Sequence, residues 1–132
     1  VKAQGGGTIL DMGVYTIQLA EFIFNGERPL SIKAAGCLNA DGIDESTSTT
    51  LLYSKNRTAT MVTHIVVTPP NEAIIIGTKG TIKIPQFWCP IRVELPSGVI
   101  ETPLPRGAHS FNFINSAGLR YEAMEVRECL KA

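Results

Sequence analysis

Residues 31–67 run SIKAAGCLNADGIDESTSTTLLYSKNRTATMVTHIVV. Three stretches within it, Ser31 to Leu38, Ser46 to Ser54 and Arg57 to Val67, have strand character, the second through its β-branched threonines. Asn39-Ala40-Asp41-Gly42 and the short Lys55-Asn56 separate them with turn chemistry. Successive strands joined by such short turns are antiparallel neighbours. The alternation within Arg57 to Val67 gives the sheet two distinct faces.

The pattern continues on both sides. Downstream, Pro69-Pro70 interrupt the chain before Glu72 to Ile76, and a tight turn at Gly77-Thr78-Lys79-Gly80 leads into Thr81 to Ile84. Pro96-Ser97-Gly98 then joins Ile91 to Leu95 with Val99 to Thr102. Ser116 to Leu130 returns to helical spacing through Leu119, Ala123, Val126 and Leu130, with Ser116 as the expected N-cap. Upstream, apolar residues fill most of Ile9 to Phe24, one helix that Asn25-Gly26 and Pro29 bring to a stop. One helix, five to seven strands and a closing helix describe an α+β fold with a mostly antiparallel sheet.

Composition narrows the function. With 132 residues the chain has the length of one domain, and 44% hydrophobic against 18% charged content is globular rather than disordered. Twelve Lys and Arg balance twelve Asp and Glu. A neutral chain lacks the cationic surface of a nucleic-acid binder or a polybasic membrane binder. No apolar run approaches the roughly 20 residues of a membrane span, and no signal-peptide pattern opens the chain. The cysteines Cys37, Cys89 and Cys129 form no CxxC or Cys/His pattern, which argues against a metal site and points to reduced, buried thiols in a cytoplasmic protein. Val1 in place of Met, and an end at Ala132 inside a helical pattern, suggest a piece of a longer protein.

Several motifs have bland explanations. Gly5-Gly6-Gly7 lacks the preceding strand and the spacing of a dinucleotide fingerprint, and reads as a permissive entry to a helix. Gly77-Thr78-Lys79-Gly80 has the letters of an RNA-binding loop but strands on both flanks, so it is a hairpin turn. His64 and His109 have no second ligand nearby in sequence and read as structural or surface residues.

Asp11 and Tyr15 are different. With Thr8 and Gln18 they form a narrow polar stripe on an otherwise apolar helix, and Gly13 beside them permits a close approach. The stripe faces either solvent or a cleft, and in a cleft Tyr15 can exchange a proton with a substrate hydroxyl. A phenol of pKa about 10 then needs a nearby cation, yet no Lys or Arg lies on the stripe. The aromatics Phe87-Trp88 and Phe111-Asn112-Phe113 sit beside proline-rich loops and fit either a core or an apolar ligand wall.

The stretch Gly5 to Tyr15 resembles a signature of the glucose–fructose oxidoreductase/inositol dehydrogenase family: glycines, a short apolar stretch, Asp, one residue, Gly, one residue, then His or Tyr. The resemblance continues through the Gly77–Gly80 hairpin and Gly118-Leu119-Arg120-Tyr121-Glu122-Ala123. Tyr15, Phe87-Trp88-Cys89-Pro90 and Phe111-Asn112-Phe113 look most like the family's dihydrodiol-dehydrogenase branch, which uses NADP and also oxidises D-xylose. The resemblance implies that residues 1–132 are a C-terminal substrate-binding and oligomerisation domain, an open sheet with helices packed on one face. The preceding Rossmann domain would hold NADP and supply a lysine from a Glu-Lys-Pro motif. It further implies Tyr15 as catalytic acid/base, Asp11 as the residue that orients substrate, Trp88 and Phe113 as substrate-binding walls, and a homodimer formed through the open sheet face. The alternative function is a non-catalytic dimerisation or diol- and sugar-binding module.

Overall fold

The computed structural model describes residues 4–132, so Val1 lies outside the described residues. The strands of 31–67 form an antiparallel sheet in the order β1 (Ser31–Leu38), β2 (Asp44–Tyr53), β3 (Arg57–His64). Lys55 and Asn56 both adopt φ 57 in the β2–β3 turn, a conformation suited to tight hairpins. β3 stops three residues short of the expected Val67. There His64 Nδ1 accepts hydrogen bonds from the backbone N–H of Val66 (3.0 Å) and Val67 (3.3 Å), which turns the chain out of the sheet.

Register fixes what each face carries. Thr49 pairs with Met61 and Leu51 with Ala59, which puts Leu51, Tyr53 and Met61 on one face, all buried. The opposite face carries Ser48, Thr50, Leu52, Thr60 and Val62.

The N-terminal helix is not continuous, a correction to the single helix expected over Ile9 to Phe24. It divides at Met12 into α1 (Thr8–Asp11) and α2 (Gly13–Ile23). Gly13, the weakest helix former of the stretch, sits at the break. The close approach there is made by Ile9, whose Cδ1 would lie 2.7 Å from a Cβ at Gly13. The expected polar stripe divides as well. Thr8 is completely buried, with no hydrogen-bond partner for its hydroxyl among the described residues, while Asp11, Tyr15 and Gln18 are exposed.

Small residues let α2 settle on the sheet. Gly13 and Ala20 are its buried positions, and Ala20 packs with Leu51, Tyr53 and Met61, flanked by Phe24 and Ala59. The Thr16 hydroxyl donates to the Gly13 carbonyl at 2.8 Å and sits 3.1 Å from Met61 Sδ. Phe24 stacks on Tyr53 with centroids 3.8 Å apart and an interplanar angle of 15°, and the Arg57 guanidinium lies 5.3 Å from the Phe24 centroid. Arg57 also pairs with Glu27, which accepts a hydrogen bond from Ser54 N (3.2 Å). Hydrogen bonding, first from Arg57 and then from Ser54, holds the Glu27 carboxyl below its usual range.

Residues 71–132 carry a second antiparallel sheet, β4 (Glu72–Gly77), β5 (Gly80–Pro85), β6 (Arg92–Leu95) and β7 (Gly98–Glu101), in chain order. The Gly77–Gly80 and Pro96–Ser97 turns fall where turn chemistry placed them. One face pairs Ile75 with Ile82 and Val93 with Ile100, and the other carries the ion pairs Lys83–Glu72 and Arg92–Glu101, both 2.9 Å. A 3-10 turn (Ser116–Gly118) leads into α3 (Leu119–Lys131). Ser116 does not cap this helix as expected, because its hydroxyl donates to the Phe113 carbonyl (2.9 Å).

The architecture is therefore the α+β, mostly antiparallel one expected, with its pairing distributed over two compact units, Val1–Pro70 and Asn71–Ala132. The thiols depart from expectation. All three cysteines are free, but Cys37 and Cys129 are exposed, and only Cys89 is half-buried. Burial raises the Cys89 thiol above its ordinary pKa. Among the described residues no helix is long and apolar enough to cross a membrane, and no group of three His, Cys, Asp or Glu side chains is placed to hold a metal ion.

Candidate active site

An open cleft of about 480 Å³ lies in the first unit. Gly5, Gly6, Gly7, Leu10 and Asp11 form one wall, and Asn39, Asp41, Ile43 and Ile65 contribute the other. Gly5, Gly6 and Gly7 add no side chains to the first wall beside those of Leu10 and Asp11. Gly7 sits at φ 146, where L side chains are strained, and a Cβ on it would fall 2.1 Å from Asp44 Oδ1. Apart from Ile65, which follows β3, the second wall is the β1–β2 turn, closed by Asn39. Its Oδ1 accepts from Asp41 N (2.9 Å) and Ile43 N (3.1 Å), an Asx turn that bends the backbone around one side chain.

Of the predicted polar pair, Asp11 lines this cleft, and Tyr15 follows on the first turn of α2 with 49% of its surface exposed. Backbone bonds connect the two positions: Asp11 N to the Gly7 carbonyl (3.1 Å), Met12 N to Thr8 (2.9 Å), and Tyr15 N to Met12 (3.2 Å). Tyr15 is thus not consumed by the α2–sheet core, whose aromatic members are Phe24 and Tyr53. A carboxylate on a cleft wall and a half-exposed tyrosine on the next turn are residue types that can hydrogen-bond and protonate or deprotonate a hydroxyl-bearing ligand.

Trp88 and Phe113 belong to the second unit, and there the structure brings their loops together. Trp88 lies in the turn Gln86–Cys89, closed by Cys89 N to Gln86 O (2.9 Å), and Phe113 lies two residues before Asn115. The Asn115 amide donates to the Cys89 carbonyl (3.0 Å) and approaches Gln86 Oε1 (3.4 Å), while the Cys89 thiol donates to the Ile114 carbonyl (3.7 Å). Trp88 is 38% and Phe113 75% exposed, so neither serves as core within its unit. A smaller apolar cleft of about 320 Å³ beside Ile75, Ile82, Leu95 and Pro96 contains none of the predicted residues.

Sequence reasoning missed Asn115 and Asp44. Asn115 adopts φ 57, and Asn is among the few residues that do so readily, a signal the motif Phe113-Ile114-Asn115 carries weakly. Asn115→Ala should both strain the backbone and release the Gln86–Cys89 turn. Hydrogen bonds of this kind are worth about 0.5–1.5 kcal/mol each. Trp88 emission should shift to the red in Asn115→Ala and stay shifted in Asn115→Gly, which relieves strain alone. An unchanged spectrum in both variants would mean that Asn115 does not hold the Trp88 loop.

Residues 1–83 match the family profile described as GFO/IDH/MocA C-terminal domain. The chain belongs to that family. Full-chain comparison agrees: over 132 residues the chain is 44% identical to trans-1,2-dihydrobenzene-1,2-diol dehydrogenase of Danio rerio, covering 99% of this chain and 40% of the relative. The enzyme of the same name from Homo sapiens is 34% identical over 131 residues, 98% of this chain and 39% of the relative. The chain thus spans about two-fifths of the length of these relatives. Among solved structures, an aldose-aldose oxidoreductase from Caulobacter crescentus complexed with glycerol superposes with a TM-score of 0.62 at 21% identity, over 94% of this chain and 38% of that one. That likeness concerns the fold, and it places this member of the GFO/IDH/MocA C-terminal domains on the same α+β scaffold.

Proposed function

We propose that residues 1–132 form the substrate-binding and oligomerisation domain of an NADP-dependent dehydrogenase acting on CH–OH groups of trans-dihydrodiols or D-xylose. The observation that carries this proposal is the exposure of the signature: Asp11 stands on a cleft wall and Tyr15 reaches solvent one turn later, instead of either entering the core. The dihydrodiol dehydrogenases that match almost the whole chain support the substrate class.

The fit to a nicotinamide nucleotide is negative for this chain alone. Both sheets are antiparallel, and no strand–glycine turn–helix unit of the dinucleotide type occurs among the described residues. We therefore assign the nucleotide, and the lysine that would polarise Tyr15, to the remainder of a longer protein. When bound, NADP supplies the hydride acceptor. The part played by this chain is to bind and orient the diol through Asp11 and to move the hydroxyl proton at Tyr15 Oη. A cytoplasmic location accords with this chemistry.

Incubating the full-length protein with NADP and a trans-dihydrodiol, or with D-xylose, should produce NADPH absorbance. Absence of NADPH with every diol and sugar tried, from a protein that binds NADP, would leave the binding-module alternative. The second sheet face favours an added role in association. Ser48, Thr50 and Thr60 keep it small, Lys33 stands on it opposite Thr50, Leu52 and Val62 are exposed on it, and Thr50 and Thr60 hydroxyls meet at 3.3 Å. We propose a homodimer formed through this face. Sedimentation should give a dimer that Val62→Lys converts to monomer, and an unchanged dimer would move the interface elsewhere.

A further inference from the structure

We propose that Asp44 is a positioning residue that clamps α1, and through it Asp11 and Tyr15, to the sheet; its kinetic consequence rests on the proposed function. The need for a clamp is written in the sequence. Gly7 occupies the N-cap of α1 and has no side chain with which to cap it, and α1 carries no side-chain cap of its own. Helix starts leave N–H groups unsatisfied unless an oxygen reaches them. Asp44 Oδ2, from the start of β2, accepts the Ile9 N–H at 2.7 Å across 35 residues. Its Oδ1 packs against Gly7 so closely that a Cβ there would fall 2.1 Å away. The glycine is therefore required by the carboxylate as well as by its own φ.

Asp44 is itself held in place. The β1–β2 register shifts between Cys37 and Leu38, opposite Asp44, and the Asn39 Asx turn closes the loop just before it. Asn39, Asp41 and Ile43 of that turn form one cleft wall, and Gly7, Leu10 and Asp11 form the other. The Asp44–Ile9 bond ties these two walls together. From Gly7 and Thr8 the backbone bonds to Asp11, Met12 and then Tyr15 carry the position of the clamped turn to the phenol. Charge-assisted bonds of this type are the stronger class, because one partner is ionised.

The test compares Asp44→Ala and Asp44→Asn in the full-length protein, by amide hydrogen exchange and by steady-state kinetics. In Asp44→Ala, exchange at Ile9 to Met12 should accelerate at least ~10-fold, while Thr49 to Tyr53 stay protected. Its kcat should fall at least ~10-fold with NADPH affinity unchanged. Asp44→Asn, whose amide oxygen still accepts, should restore both to within about 3-fold. Unchanged exchange at Ile9 to Met12 in Asp44→Ala would overturn the clamp. Accelerated exchange across both segments would reduce Asp44 to a general stability residue and overturn it equally. Local loosening with unaltered kcat, in a protein that Tyr15→Phe inactivates, would overturn the positioning role. A Tyr15→Phe variant that retains full turnover would refute the acid–base assignment instead, and the exchange measurement would still decide the clamp.

Discussion

Tyr15→Phe in the full-length protein should lower kcat by about 10²- to 10⁴-fold, the usual worth of a positioned acid or base. At 1.36 kcal/mol per decade this is about 2.7–5.4 kcal/mol of transition-state stabilisation. The substitution keeps the ring, which is half exposed and outside the core. Nucleotide affinity should be unaffected, and KM should change little, because proton transfer belongs to the transition state. Asp11→Asn offers the contrast. A side chain that orients ground-state hydroxyls should raise KM by about 10-fold or more, as expected for a lost charged hydrogen bond. The proton transfer also needs a cation, and no Lys or Arg stands between Lys2 and Arg28. Rate loss in Tyr15→Phe should therefore be matched by loss on removing the lysine proposed in the remainder of the protein. A Tyr15→Phe enzyme within about 3-fold of the parent would eliminate the phenol as proton carrier.

What the sequence disclosed depended on whether the deciding physics was local. The hairpins at Lys55-Asn56, Gly77–Gly80 and Pro96–Ser97 were legible because turn geometry is set by the turn residues themselves. The alternation of Thr49, Leu51 and Tyr53 against Ser48, Thr50 and Leu52 likewise follows from strand period alone. The division of the first helix at Met12 was not legible, since apolar spacing runs straight through it while the cap of α1 comes from Asp44, 35 residues beyond Ile9. Thr8 shared a helical stripe with Asp11 and Tyr15 on spacing, yet it is fully buried whereas they are exposed. At the candidate site, the exposure of Asp11 and Tyr15 follows from the cost of burying such groups, while spacing alone left open whether they face solvent or a cleft. Trp88 and Phe113 fitted a core or a ligand wall equally on sequence, because the hydrogen bond from Asn115 to Cys89 that joins their loops spans 26 residues, and their exposure removes only the core of their own unit.

The core aromatic of the first unit carries the second large effect. Tyr53→Ala should destabilise that unit by about 3–5 kcal/mol, the usual cost of deleting a buried aromatic ring. Tyr53 is 5% exposed, packs with Ala20, Leu51 and Met61, and stacks on Phe24 at 3.8 Å. The stack alone is worth about 0.5–1.5 kcal/mol beyond its buried area. Its loss also frees Phe24, over which Arg57 lies, and so loosens the junction of α2 with the β2–β3 hairpin. Tyr53→Phe keeps the ring and should cost less than about 1 kcal/mol. The two variants differ again in alkali. Burial, then the charges of Glu27 and Glu21, push the Tyr53 phenol above its ordinary value of 10.0. A group whose folded pKa is raised contributes stability that is complete below its unfolded pKa and is lost as pH climbs through the folded one. Stability of the parent should therefore begin to fall above about pH 10, and Tyr53→Phe should lack that component. Hydrogen exchange at Thr49 to Tyr53, followed from neutral pH into alkali, reads both effects. A Tyr53→Ala variant that keeps those amides as protected as the parent would mean that the α2–sheet contact is held elsewhere, and that the core around Ala20 and Met61 survives without its largest ring.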